Sequence, residues 1–171
     1  MKPCLLVVSL IIFSSCIKPV ELDVKETRSL FSQLYIFKQD SWHRNPLVID
    51  SVYYNDGIIL EYCKESPLAN DIAYIKQQLV SRSLIKWQHN VFDTLKIVSR
   101  KQLDSLSKPD SFTNTPMHVQ VSKPYFSRNK KYCLLCYRYY CGNLCAENAV
   151  NIYRKVNGKW RFVKSLMRVV S

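Results

Sequence analysis

Residues 139–165 read YYCGNLCAENAVNIYRKVNGKWRFVKS. Runs of alternating aromatic and aliphatic residues flank two reversals, one around Gly142 and one at Asn157–Gly158. Period-two alternation bounded by turn residues is the signature of strands, so the stretch predicts an antiparallel meander. Asn-Gly suits a two-residue type I′ turn, in which both central residues take positive φ. That turn sets Tyr153 opposite Phe162 and Ile152 opposite Val163, on alternate faces of the sheet. Both faces then carry apolar side chains, and at least part of the sheet is expected to be covered on each side.

Upstream, MHVQVS (117–122) and KKYCLLCYRYY (130–140) add further strand-like runs. Residues 105–116, rich in Ser, Pro, Asp and Asn, read as the longest loop, and TLKIVSRKQLDSL (94–106) as a short strand followed by a helical turn capped by Ser99. Leu30, Phe31, Leu34 and Phe37 recur at helical spacing and predict a helix over Glu26 to Phe37. A second helix is expected within SPLANDIAYIKQQLV (66–80), capped at Asn70 or Asp71, with Ile72, Ile75 and Leu79 facing inward. Between the helices, LVIDSVYYNDGIILEYC (47–63) alternates on either side of Asp56–Gly57 and predicts a second hairpin. The expected fold class is α+β: about two main helices packed on an antiparallel sheet with a C-terminal β-meander.

The chain opens MKPCLLVVSLIIFSSCIK, with one lysine, an apolar run from Leu5 to Phe13, two serines and Cys16. This is the grammar of a secretory signal, and the run falls short of the roughly 20 apolar residues that a spanning helix needs. FSSC resembles a bacterial lipobox, with Phe13 where leucine is commoner, which implies cleavage before Cys16 and acylation of its thiol, by palmitate for example. Plain secretion with cleavage nearby and an uncleaved anchor are the other readings. Residues 1–15 are thus the expected lipoprotein signal peptide, 16–20 a lipid-anchored tether and 21–171 a single domain of a size that suits one core. The expected location is the bacterial envelope, lipid-anchored, on the periplasmic side of the outer membrane.

Charge is unevenly placed along the chain. Residues 17–99 hold ten basic and ten acidic side chains, whereas residues 100–171 hold fourteen basic against three acidic ones, Asp104, Asp110 and Glu147. A one-sided field of this kind draws anionic partners; the plainer reading is a solvated basic face that aids solubility. Glu147, alone in a basic neighbourhood, is expected to form an ion pair rather than act in catalysis.

Five cysteines remain beyond Cys16: Cys63, Cys133, Cys136, Cys141 and Cys145. Export favours disulfides, and Cys141 and Cys145 flank a strand reversal that a bridge would clasp. Free buried thiols and a metal or redox role are the other readings. A zinc knuckle requires its thiolates to converge, but Cys133 and Cys136 sit three apart in an alternating strand and point to opposite faces. No metal site and no cofactor are therefore expected. Three glycines, at 57, 142 and 158, each serve a turn and leave none for a phosphate loop, dinucleotide fingerprint or nucleophile elbow. His43, His89 and His118 are far apart, and His118 reads as a structural histidine in a strand. The interleaved rings and cations of residues 130–140 would suit nucleic acid, but half-buried strands give the same pattern by packing, and export argues against that partner.

The FSSC signal end, the run VSKPYFSRNKKYCLL, the CGNLC loop and the terminal YRKVNGKWRFVKS resemble a group of small, uncharacterised exported lipoproteins of Bacteroidetes-type bacteria. The resemblance covers mainly residues 117–171 and the signal, with Ala146 standing where glycine often follows the second cysteine. It implies an envelope location and no catalytic residues. The order of helices followed by strands closing on an NGKW hairpin is also similar to NTF2-like cones. The expected function is a non-enzymatic binding or accessory module of the envelope, held by its lipid, whose basic C-terminal half meets an anionic envelope component or a partner protein. The competing expectation is an NTF2-like cone with a ligand pocket, lined by groups such as His118 and Tyr153, or weak hydrolase activity.

Overall fold

The computed structural model describes residues 22–37, 46–53, 56–80, 86–92, 95–107, 116–142 and 145–171. The expected signal peptide, the tether and Cys16 lie outside these residues, as does most of the 105–116 loop.

Seven strands form one sheet: β1 (Leu47–Ile49), β2 (Ile97–Val98), β3 (His118–Val121), β4 (Tyr125–Phe126), β5 (Tyr132–Gly142), β6 (Cys145–Val156) and β7 (Lys159–Val170). Their order is β2-β1-β3-β5-β6-β7, with β4 paired to β5 beyond the end of β3. Ser122 bridges the gap between β3 and β4. Its backbone N–H donates to the Cys136 carbonyl at 2.8 Å and its hydroxyl accepts the Cys136 N–H at 3.0 Å, just before Pro124 interrupts donation to the ladder.

The α+β class holds in its coarse form, with two corrections. The sheet is mixed, because β1 pairs in parallel with both β2 and β3. Four α-helices are present among the described residues rather than two: α1 (Val24–Phe31), α2 (Asp56–Lys64), α3 (Ile72–Val80) and α4 (Arg100–Leu106). The additional helix α2 occupies the stretch expected to be a hairpin. Short apolar runs fit either period, and here the i, i+4 pair Ile59 and Cys63 prevails, both residues fully buried against Leu68, Ile75 and Leu79. Gly57 accordingly lies inside a helix and not in a positive-φ turn.

The first helix is also shorter than expected. It runs from Val24, where Asp23 Oδ1 accepts the Glu26 N–H at 3.0 Å, to Phe31, and a separate 3₁₀ turn covers Tyr35–Phe37. Leu30, Phe31, Leu34 and Phe37 are buried all the same, and Phe31 stacks on Phe92 at 4.9 Å. Asn70 and Asp71 fall within a 3₁₀ turn that leads into α3, whose Ile75 and Leu79 face the core. Ser99 caps α4 in a reciprocal capping box with Gln102.

The sheet is covered on both sides through β5 and β6, while most of β7 is exposed. Helix α1, the turn after it and Trp87 to Phe92 pack on the face that presents Cys133, Leu135 and Tyr137. Helices α2 and α3 pack on the face that presents Leu134, Cys136 and Val150. Cys133 and Cys136 thus point to opposite faces, as strand alternation requires.

Candidate functional site

Three strands and the segment that follows α1 border an open cavity of about 560 Å³. Strand alternation decides which residues line it. On β5 the odd positions Tyr137, Tyr139 and Cys141 reach it, and on β6 the odd positions Cys145, Glu147, Asn151 and Tyr153. Strand β7 cannot keep step by simple alternation, because Trp160, Phe162, Ser165, Arg168 and Val170 all line the cavity. Two register shifts account for this spacing. Tyr153 pairs with Phe162 as expected, but Ile152 pairs with Lys164 instead of Val163, and after Asn151 and Ser165 the ladder slips again to Val150 and Met167. Each bulge inserts one residue and bends the strand, so two of them re-phase β7 and curl it around the space. The type I′ turn at Asn157 (φ 49°) and Gly158 (φ 76°) starts the strand in register.

Two contacts hold α1 and the turn after it over this concave face. The Lys155 ammonium on β6 reaches both carboxylate oxygens of Glu26 at 2.7 Å, and Gln33 Oε1 accepts the backbone N–H of Trp160 at 2.8 Å. Leu34 and Ile36, just beyond α1, supply the apolar wall across from the strands.

Inside, polar groups form a track that crosses the strands. Tyr137 donates its hydroxyl to Glu147 Oε1 at 2.6 Å, and Arg168 donates Nε and Nη2 to the two oxygens of Glu147, each at 3.2 Å. The ion pair expected for Glu147 is therefore formed, and it is bidentate. Ser165 donates to Asn151 Oδ1 at 2.7 Å, and Asn151 Nδ2 donates to the Tyr153 hydroxyl at 3.3 Å. Burial, with the hydrogen bond to Glu147 second, raises the Tyr137 phenol far above its ordinary value, and burial pushes Tyr153 up to about 12. Both phenols stay protonated at neutral pH.

No family model, no curated protein and no solved structure matches this chain.

Cys141 and Cys145 are joined in a disulfide with Cα atoms 5.1 Å apart, and both line the cavity. Gly142 between them takes φ 135°, a conformation that L side chains rarely adopt. Cys63, Cys133 and Cys136 are buried thiols outside any disulfide. Burial raises Cys63 to about 11 and raises Cys133 as well, the opposite of what a reactive thiolate needs. Among the described residues no three His, Cys, Asp or Glu side chains group to hold a metal ion. No helix among them is long and apolar enough to cross a membrane.

His118 does not join Tyr153 at the cavity. It pairs with Tyr140 across β3 and β5, stacks on that ring at 4.7 Å and sits 2.8 Å from the Pro116 carbonyl through Nδ1. Its neighbour Val119 takes the cavity-side face with Tyr139, so His118 faces the other way. Burial lowers its pKa. Sequence reasoning singled out Tyr153 and Glu147 but missed Tyr137, Asn151 and Arg168. The odd-position alternation of β5 and β6 held the signal for the first two. Arg168 depends on the bulges.

Proposed function

We propose that this chain is a non-enzymatic binding module of the bacterial envelope, anchored through acylated Cys16, and that the cavity behind β5, β6 and β7 is its ligand site. One observation carries the reading: a cavity of about 560 Å³ holds a small set of convergent polar groups within an apolar and aromatic wall. That size and lining are those of small-molecule sites. The layout supports the cone-with-pocket expectation over a flat basic contact surface, and the basic half becomes the field around the pocket mouth.

Binding is favoured over hydrolysis because the cavity's acid is already committed. Glu147 is neutralised by Arg168 and accepts from Tyr137, and both tyrosines hold their protons, so no base is poised to activate water. Envelope placement is supported by the leader sequence, by the lipobox-like FSSC and by a disulfide of the kind that persists outside the cytoplasm.

The test is calorimetric titration of the full chain in neutral detergent with small naphthalene derivatives, empty micelles serving as the blank. One saturable site is expected, and Ser165→Trp, which fills the cavity from β7, is expected to abolish it. Absence of any saturable site, or a site indifferent to Ser165→Trp, refutes the reading. Radiolabelled palmitate incorporation with a Cys16→Ser control tests the anchor separately.

A further inference from the structure

The place where α1 begins decides which end of the molecule meets a membrane; this step rests on Cys16 being the lipid anchor. Leu22 and Asp23 share a small hollow with Pro124, Phe126 and Lys130. Asp23 pairs with Lys130 in the turn between β4 and β5, and Glu26 pairs with Lys155 near the end of β6. The first turn of α1 is thereby held at one tip of the sheet, where β5 starts, β6 ends and the Asn157–Gly158 turn leads into β7. From Cys16 to Leu22 the chain takes six residue steps, which reach at most roughly 20 Å. The eleven residues of β5 put the Cys141–Cys145 tip roughly 30 Å further off. An anchor at Cys16 therefore brings the α1 tip to the bilayer and cannot set the disulfide tip there in its place.

That tip is cationic. Arg154 stands directly opposite Arg161 across β6 and β7, and the Lys131 carbonyl accepts the Lys155 N–H alongside them. Like charges set opposite one another weaken a sheet, so packing alone does not call for this pair. Lys25, Arg128 and Lys159 flank the row, and all of these cations except Lys155 are exposed. Arg128 and Arg154 rest on the rings of Tyr74 and Tyr132. The two acids of α1 are engaged by Lys130 and Lys155, and among the described residues no carboxylate pairs with Lys25, Arg128, Lys131, Arg154, Lys159 or Arg161. Residues 17–21 carry Lys18 and Glu21 and add no net charge. Exposed Val24 and Val156 stand among the cations and offer an apolar contact at headgroup depth. We infer that this tip docks on the anionic phospholipid headgroups of the membrane that holds the anchor, leaving the disulfide end of the cavity turned away from the bilayer. Basic clusters of this size beside an anchor match anionic lipid. The short tether holds headgroups at the tip at high effective concentration, an advantage that a soluble acidic partner lacks.

Lysine footprinting tests this. The full chain is reconstituted from detergent into vesicles of phosphatidylcholine, alone or mixed with phosphatidylglycerol, and acetylation is read by mass spectrometry, which also reads the acyl mass at Cys16. Lys25, Lys131 and Lys159 are expected to react about fivefold more slowly on anionic than on neutral vesicles, the worth of one basic residue at such a surface. High salt is expected to remove the difference, and Lys96 and Lys101, near the other edge of the sheet, are expected to show none. The double variant Lys131→Gln with Lys159→Gln is expected to release Lys25. Equal protection of Lys96 and Lys101 overturns the assigned surface. Equal rates on both vesicles, with Cys16 acylated, overturn the lipid contact and leave the anchor and the pocket standing. Protection by poly-glutamate without protection by anionic vesicles overturns it in favour of an acidic protein. Absence of acyl mass at Cys16 overturns the anchor, and this inference with it.

Discussion

Replacing Cys141 and Cys145 with serine removes a covalent clasp whose worth follows from its loop length. The bridge spans a sequence separation of 4. Closing a loop of five residues removes denatured-chain entropy equivalent to about 2 kcal/mol at room temperature. For a chain of this size that converts to a fall in Tm of roughly 4–8 °C. The assay is urea unfolding of parent and double variant, each with and without dithiothreitol. The parent in reductant is expected to drop to the variant's midpoint, and the variant is expected not to respond. Both cysteines line the cavity, so the variant is also expected to bind the naphthalene derivatives more weakly. Equal midpoints for the oxidised parent and the variant would refute the reasoning, since the clasp would then constrain nothing that the β5–β6 ladder does not already hold.

Three further outcomes are expected. Leu134 is fully buried on the face covered by α2 and α3, so Leu134→Ala should cost about 2–5 kcal/mol in urea unfolding. Burial works against the Asp23 charge, but Lys130 and the Glu26 N–H outweigh it and hold the carboxyl below its usual 3.8. The stability Asp23 contributes is therefore present above that value and lost as pH falls below it. Asp23→Asn keeps a capping oxygen and removes only the ion pair with the half-exposed Lys130, so it should destabilise the chain at pH 7 by about 0.2–1 kcal/mol and match the parent near pH 2. Tyr153 has the opposite sign: its raised pKa favours the protonated fold, so its share of stability is complete below pH 10 and lost between there and about 12. Tyr153→Phe should flatten that alkaline decline in a pH series of thermal melts.

The meander is legible in residues 139–165 because half-buried antiparallel strands impose alternation and the Asn-Gly turn imposes register. The α4 cap is legible for a similar reason, since a Ser99–Gln102 box is written locally. The 47–63 stretch is not, because GIILEYC satisfies both periods and the decision rests with Leu68, Ile75 and Leu79, which lie beyond its own span. Parallel pairing of β1 with β2 and β3 joins segments about 50 and 70 residues apart, which no local pattern encodes. The cavity was half visible: alternation brings Glu147 and Tyr153 to one face, but Arg168 and Ser165 arrive there only through bulges that leave no mark in composition. His118 is a strand histidine with partners of its own, as its sequence context predicts, and the β3–β5 register turns it away from the cavity that the competing cone expectation set it beside.

The bulges that curl β7 act outward as well as inward. Among the described residues this strand is one unpaired border of the sheet, twelve residues long and carrying exposed Phe162, Val163, Val169 and Val170. A long flat border with such side chains invites a second chain to zip onto it. Two kinks break the straight row of backbone groups that zipping requires, and four cations would face four cations in any antiparallel self-pairing. The same irregularities that shape the hollow thus guard neighbouring copies from fusing into a continuous fibre where they crowd together.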